Sequence, residues 1–179
     1  MSLVQKGEHA AEALGHEMRE STDEHMKRRR GGVGLSLVSI ASMGLIALYQ
    51  TGILKHVPEP SLPGLDADKV NGSAQAYRYL AIPDAVLGIG SYAVTLGLAS
   101  MGSPDRARRQ PWIPLAWAAK AGVDAALSAK LTFDQASRYR AFCLWCLLAA
   151  GATFATVPLV IPEARAAARH LLRKITETG

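Results

Sequence analysis

Cysteine is scarce in this 179-residue chain: there are two, Cys143 and Cys146. The two are spaced C-x-x-C, but haem attachment would need a histidine next, and residue 147 is leucine. Gly-rich phosphate loops, a serine–histidine–acid arrangement, internal repeats and low-complexity tracts are also absent. A further absence is local: residues 31–54, "GGVGLSLVSIASMGLIALYQTGIL", contain no charged side chain.

That run meets the length of about 20 apolar residues that a helix needs to cross a bilayer. Thirty polar residues precede it and no clean small-x-small cleavage site follows, which argues against a cleaved signal peptide. A second apolar block spans residues 80–101, rich in small residues (Gly88, Gly90, Ser91, Gly97) that let helices approach closely. A fourth, residues 141–162, carries the cysteines and ends at Pro158 and Pro162.

The third block, residues 112–131, holds Lys120 and Asp124 near its middle. Each charge costs about 2.5–3.5 kcal/mol at the bilayer centre, and the few large apolar residues return only about 0.3–0.6 kcal/mol each. Their i, i+4 spacing puts both on one face, where they can pair and turn toward a bundle interior. The alternative is a surface helix with a solvated ion pair.

The formal charge of +5 is concentrated at block ends, where it flanks the apolar runs instead of striping one face; nucleic acid is not expected as a partner. Lys27–Arg30, Arg106 with Arg108 and Arg109, and Arg165, Arg169, Arg173 and Lys174 fall on one side of a four-span topology. The positive-inside rule makes that side cytoplasmic. The other loops carry Lys55, Lys69 and Arg78, then Lys130, Arg138 and Arg140. The expectation is an all-α, integral membrane four-helix bundle with both termini cytoplasmic, embedded in membrane lipid. Residues 1–30 form a polar cytoplasmic N-tail, 31–162 the membrane domain, and 163–179 a basic cytoplasmic C-tail whose residues 163–175 read as an amphipathic helix on the inner membrane surface. Tyr77, Tyr79 and Trp112 read as interfacial aromatics.

Cys143 and Cys146 then lie at the exoplasmic end of the fourth span. Zinc would need two more ligands, and only His56 among five histidines is on that side, so no metal is expected. Two readings stay open: a buried pair of inert thiols, or a redox-active dithiol. For the second, residues i and i+3 share a helix face, and a helix N-terminus with Arg138 and Arg140 nearby favours a thiolate. Trp145 between them reads as packing more than as a stacking platform.

The segments "AFCLWCLL" opening the fourth span, "AIPDAVLGIGSY" opening the second, and a Pro-rich outer loop resemble the vitamin K epoxide reductase family in its bacterial branch, over residues 31–162. The resemblance implies a membrane thiol–disulfide oxidoreductase in the inner membrane, with a quinone (ubiquinone or menaquinone) as electron acceptor in a pocket at the outer surface. It implies that Cys146 is the quinone-reactive sulfur and Cys143 its resolving partner, and that a thioredoxin-like exoplasmic protein supplies the electrons. Asp84 falls where the family often has an asparagine that hydrogen-bonds a quinone oxygen. It is either a functional group there or a solvated helix-end carboxylate. Two further departures stand out. The outer loop lacks the family's second cysteine pair, with Ala67 in one of those places, and a tyrosine found in some relatives is Ala150 here. Either a partner thiol attacks the Cys143–Cys146 disulfide directly, or the chain is a non-catalytic membrane subunit or quinone-binding protein that has lost the relay.

Overall fold

The computed structural model of the chain describes residues 3–77 and 82–178. Among these the structure is helical, without a strand, and the order is α1 (Leu3–Glu20), α2 (Glu24–Gln50), α3 (Ala67–Asn71), a 3-10 turn (Ala74–Tyr77), α4 (Asp84–Ser100), α5 (Arg106–Arg109), α6 (Trp112–Asp134), a π-turn (Gln135–Tyr139) and α7 (Leu144–Thr178). Arg78, Tyr79 and Leu80 lie outside the described residues.

The four apolar blocks become α2, α4, α6 and α7, with shifted ends. Helix α2 starts inside the polar segment, where the Asp23 carboxylate caps it by accepting the His25 amide (2.9 Å). It stops at Gln50, because Gly52 turns the chain with φ 79°. Helix α7 does not stop at its prolines. It runs through Pro158 and Pro162 to Thr178, so residues 163–175 continue the fourth helix and form no separate surface helix. A proline removes one backbone donor and crowds the preceding turn. Packing of α7 against α2, α5 and α6 holds the axis regardless.

Helix α2 packs on α4 and α7, and α6 packs on α7, whereas α4 and α6 meet only loosely. The bundle is therefore a ring with one open seam. Large apolar side chains face outward, among them Leu37, Leu48, Val94, Val123, Leu127 and Phe154. Helices α2 and α7 are long and apolar enough to cross a membrane, and α4 is apolar but only 17 residues long.

Two arginines read from sequence as topology charges are fully buried. Arg29 donates to the carbonyls of Ala99 (3.1 Å), Ser100 (2.9 Å), Met101 (3.0 Å), Gly102 (3.1 Å) and Ser103 (3.2 Å), closing off the end of α4. Arg106 donates to Leu98 and Met101 carbonyls (2.7 Å each) and forms a two-pronged pair with Glu163 of α7 (2.7 Å each). Its guanidinium lies 5.3 Å from the Trp117 ring centre. Gly32 admits that ring: a Cβ there would sit 2.4 Å from Trp117 Cζ2.

Candidate active site

The cysteines sit at the opposite end of the bundle, and an irregular turn presents them. Helix α6 ends in the π-turn and then in Arg140, whose φ of 48° reverses the chain. Such turns recur at functional sites. Here the turn places Gln135 so that its side-chain oxygen accepts the Cys143 amide (2.8 Å). The Cys143 carbonyl accepts the Leu147 amide (3.0 Å), making Cys143 the residue from which α7 springs. One turn on, the Cys146 amide donates to Cys143 Sγ (3.2 Å). The two thiols are free. Arg138 and Arg140 are both exposed.

Cys143 is wholly buried, because the loop between α2 and α4 closes over it. Leu65 and Phe142 pair as a short parallel bridge, with the Phe142 amide on the Gly64 carbonyl (2.8 Å) and the Asp66 amide on the Phe142 carbonyl (2.9 Å). Glu59 clasps both sides, accepting the Ala67 amide (2.5 Å) and the Leu144 amide (3.4 Å). Trp145 donates its indole N–H to the Pro58 carbonyl (2.7 Å), a packing role. His56 pairs with Asp68 (2.7 Å), and among the described residues no three His, Cys, Asp or Glu side chains converge as metal ligands. Ala67 is buried in the same apolar cluster as Cys143.

Cys146 faces the other way, into a cavity of about 460 Å³. Its sulfur lies 3.5 Å from Asn71 Oδ1, and the Asn71 side-chain amide is fixed by the Ala67 carbonyl (2.8 Å). Asp84 shares the cavity wall, and Gln50 holds it: Gln50 Nε2 donates to Asp84 Oδ1 (2.7 Å), while Gln50 Oε1 accepts the Ala85 amide (3.2 Å). An asparagine thus does stand beside the second cysteine, but on the short loop helix α3 and not at the start of α4. Neither Asn71 nor Gln50 stood out in the sequence. Asn71 lies four residues after Ala67, on the same face of a helix too short to leave a periodic pattern.

The cavity lies along the α4–α6 seam, with Leu87, Leu127 and Leu131 on its wall and themselves exposed outside. Tyr139 joins the wall, its hydroxyl 3.0 Å from Ser73 Oγ, and so does Ala150. At the inner end the Lys120–Asp124 pair has turned inward as its spacing predicts, with Nζ 2.5 Å from Oδ2. Ser91 and Thr95 of α4 complete it: Lys120 donates to Ser91 Oγ (2.7 Å), and Thr95 donates to Asp124 Oδ2 (3.1 Å).

Residues 32–161 match the sequence profile described as the vitamin K epoxide reductase family, well over half the chain. The chain belongs to that family. No curated protein matches it. The vitamin K epoxide reductase family comprises membrane-associated, quinone-linked oxidoreductases.

Proposed function

We propose that this vitamin K epoxide reductase family member is a four-span inner-membrane thiol–disulfide oxidoreductase. It passes two electrons from Cys143 and Cys146 to a quinone held in the cavity at the exoplasmic side. The single observation that carries this reading is the division of labour between the sulfurs: Cys146 forms part of the cavity wall beside Asn71 and Asp84, while Cys143 is sealed behind it.

The cavity suits such a molecule. Its volume falls within the range of about 300–1,000 Å³ common to small-molecule sites, and its wall is mainly apolar with polar groups at the ends. The seam opens among exposed leucines, as a route for a lipid-soluble molecule requires. Beside the buried caps at the end of the bundle opposite the cysteines, Lys27, Arg28, Arg108 and Arg109 add basic side chains, which supports cytoplasmic termini and an exoplasmic dithiol.

The residues divide the chemistry as follows. A quinone, when bound, takes up two electrons and two protons. Cys143 and Cys146 lose those two electrons as one S–S bond forms, and their two S–H protons balance the two taken up. The Cys146 amide directed at Cys143 Sγ favours negative charge on that sulfur, preparing it to close the bond. Asn71 orients the Cys146 thiol by accepting from it, and Gln50 keeps Asp84 on the cavity wall, where it can hold a proton in transit. Re-reduction requires a thiol to reach the disulfide. With no loop cysteine and Cys143 sealed, an exoplasmic thioredoxin-like donor must first displace the Glu59-held loop.

In membranes containing the reduced protein, added quinone is expected to remove both cysteines from alkylation within one turnover. A dithiol that stays fully alkylatable with excess quinone contradicts the assignment.

A further inference from the structure

Gln135 serves the Cys143 turn and the cavity at once. It opens the π-turn, and its carbonyl accepts the amides of Arg140 and Ala141 (3.3 Å for the latter), which closes the chain reversal. The residue is only 4% exposed and lies on the cavity wall. Its side-chain orientation is fixed, because the Cys143 amide can only donate and so must face Oε1 (2.8 Å). The NH2 end therefore turns away from Cys143 with two donors. It makes no hydrogen bond among the described residues. Nor is it one of the buried polar atoms left without a partner there, which are His25 Nδ1, Ser103 Oγ and Trp117 Nε1. Nε2 thus keeps accessible surface, and the cavity supplies it.

The neighbouring polar groups at this end are engaged. Of the two side-chain amides on the wall, Asn71 has spent an N–H on the Ala67 carbonyl and its oxygen on the Cys146 thiol, whereas both Gln135 N–H groups are unspent. Asp84 Oδ1 accepts from Gln50. The Ser73 hydroxyl donates to the Val70 carbonyl (3.2 Å) and so accepts from Tyr139.

Resting on the quinone assignment above, we propose that Gln135 is the residue that registers the quinone. Its Nε2 donates to a ring carbonyl oxygen at the Cys146 end of the cavity, while its Oε1 holds the Cys143 backbone. A quinone oxygen only accepts, and once buried it loses affinity unless the protein offers an unspent donor. One planar amide thereby ties the position of the oxidant to that of the sulfur that closes the disulfide.

The test uses the full chain in detergent micelles with Cys146→Ser, which cannot close the disulfide and so leaves the quinone unreduced. The probe is a decyl-tailed dimethoxy-methylbenzoquinone, isotopically labelled at its ring carbonyls. Infrared difference spectra read the carbonyl stretch of the bound probe, and quenching of tryptophan fluorescence gives the dissociation constant. One carbonyl band should lie below its position in protein-free micelles, because a donated hydrogen bond weakens the C=O bond. Adding Gln135→Met should return that band toward the free position, weaken binding by about tenfold, and speed alkylation of Cys143. Glu59→Ala separates the two roles: it loosens the loop over Cys143 and keeps the donor, so alkylation should quicken while band and affinity stay the same. A carbonyl band at the free position before Gln135 is changed overturns the contact, and this reading stands even if Gln135→Met folds poorly. A lowered band that survives Gln135→Met overturns it too, as does an affinity loss that Glu59→Ala reproduces. Failure of the probe to bind before Gln135 is changed overturns the quinone site itself.

Discussion

The backbone amide of Cys146 points at the sulfur of Cys143 across 3.2 Å, and yet the two side chains occupy different environments. One belongs to a lined cavity, and the other lies beneath a loop with no accessible surface. A pair of inert core thiols would not require that asymmetry. A pair in which one sulfur meets an apolar oxidant and the other waits for a protein donor does.

The asymmetry predicts an order of alkylation. In the reduced protein a small uncharged maleimide should modify Cys146 first, with Cys143 slower by at least about tenfold, since its reaction needs local opening of the loop. Glu59→Ala removes the clasp on the Ala67 and Leu144 amides and should accelerate Cys143 selectively. Mass spectrometry of partly alkylated protein reads both rates. Equal rates in the unmodified chain would mean that the loop does not seal Cys143.

Asn71 offers a second check. Its contact with the Cys146 sulfur is a long, weak hydrogen bond, so Asn71→Ala should slow quinone-coupled oxidation by about tenfold or less, in line with a loss of about 0.5–1.5 kcal/mol. Rapid-mixing measurement of thiol loss tests this. Gln50→Leu, which frees Asp84 from its anchor, should alter the pH dependence of the same rate while leaving the helices intact, as checked by circular dichroism.

At the far end, Glu163→Ala removes the carboxylate that pairs with Arg106 in a buried setting. The expected loss is about 3–5 kcal/mol, read as a lowered unfolding midpoint in detergent. Adding Arg106→Met to Glu163→Ala should recover part of that loss, because it removes the stranded charge. A double variant no more stable than the single one would assign the effect to packing alone.

Much of this architecture was legible in the sequence. The four apolar blocks marked helices α2, α4, α6 and α7, because apolar runs of that length have few other structures open to them, even where one carries an internal ion pair. The i, i+4 spacing of Lys120 and Asp124 anticipated an inward-facing pair. The C-x-x-C stood out because it opens the fourth apolar block, where a helix N-terminus favours a thiolate. What stayed hidden depends on tertiary geometry. Arg29 and Arg106 carry the same charge as their neighbours Arg28 and Arg108, and only the position of the last carbonyls of α4 turns them into buried caps. Pro158 and Pro162 signalled an end to α7 that packing against neighbouring helices overrides. Asn71 and Glu59 sit in a polar loop whose sequence gives no sign that it folds back over Cys143.

The most direct test of the central claim is a single-turnover titration of the purified, fully reduced protein with one quinone per chain. Quinol formation is followed by absorbance, and the remaining thiols are counted by alkylation. Two thiols should disappear for each quinol formed, and Cys146→Ser should abolish the reaction. Quinol formation that proceeds unchanged in Cys146→Ser, or without loss of thiols, would contradict the account.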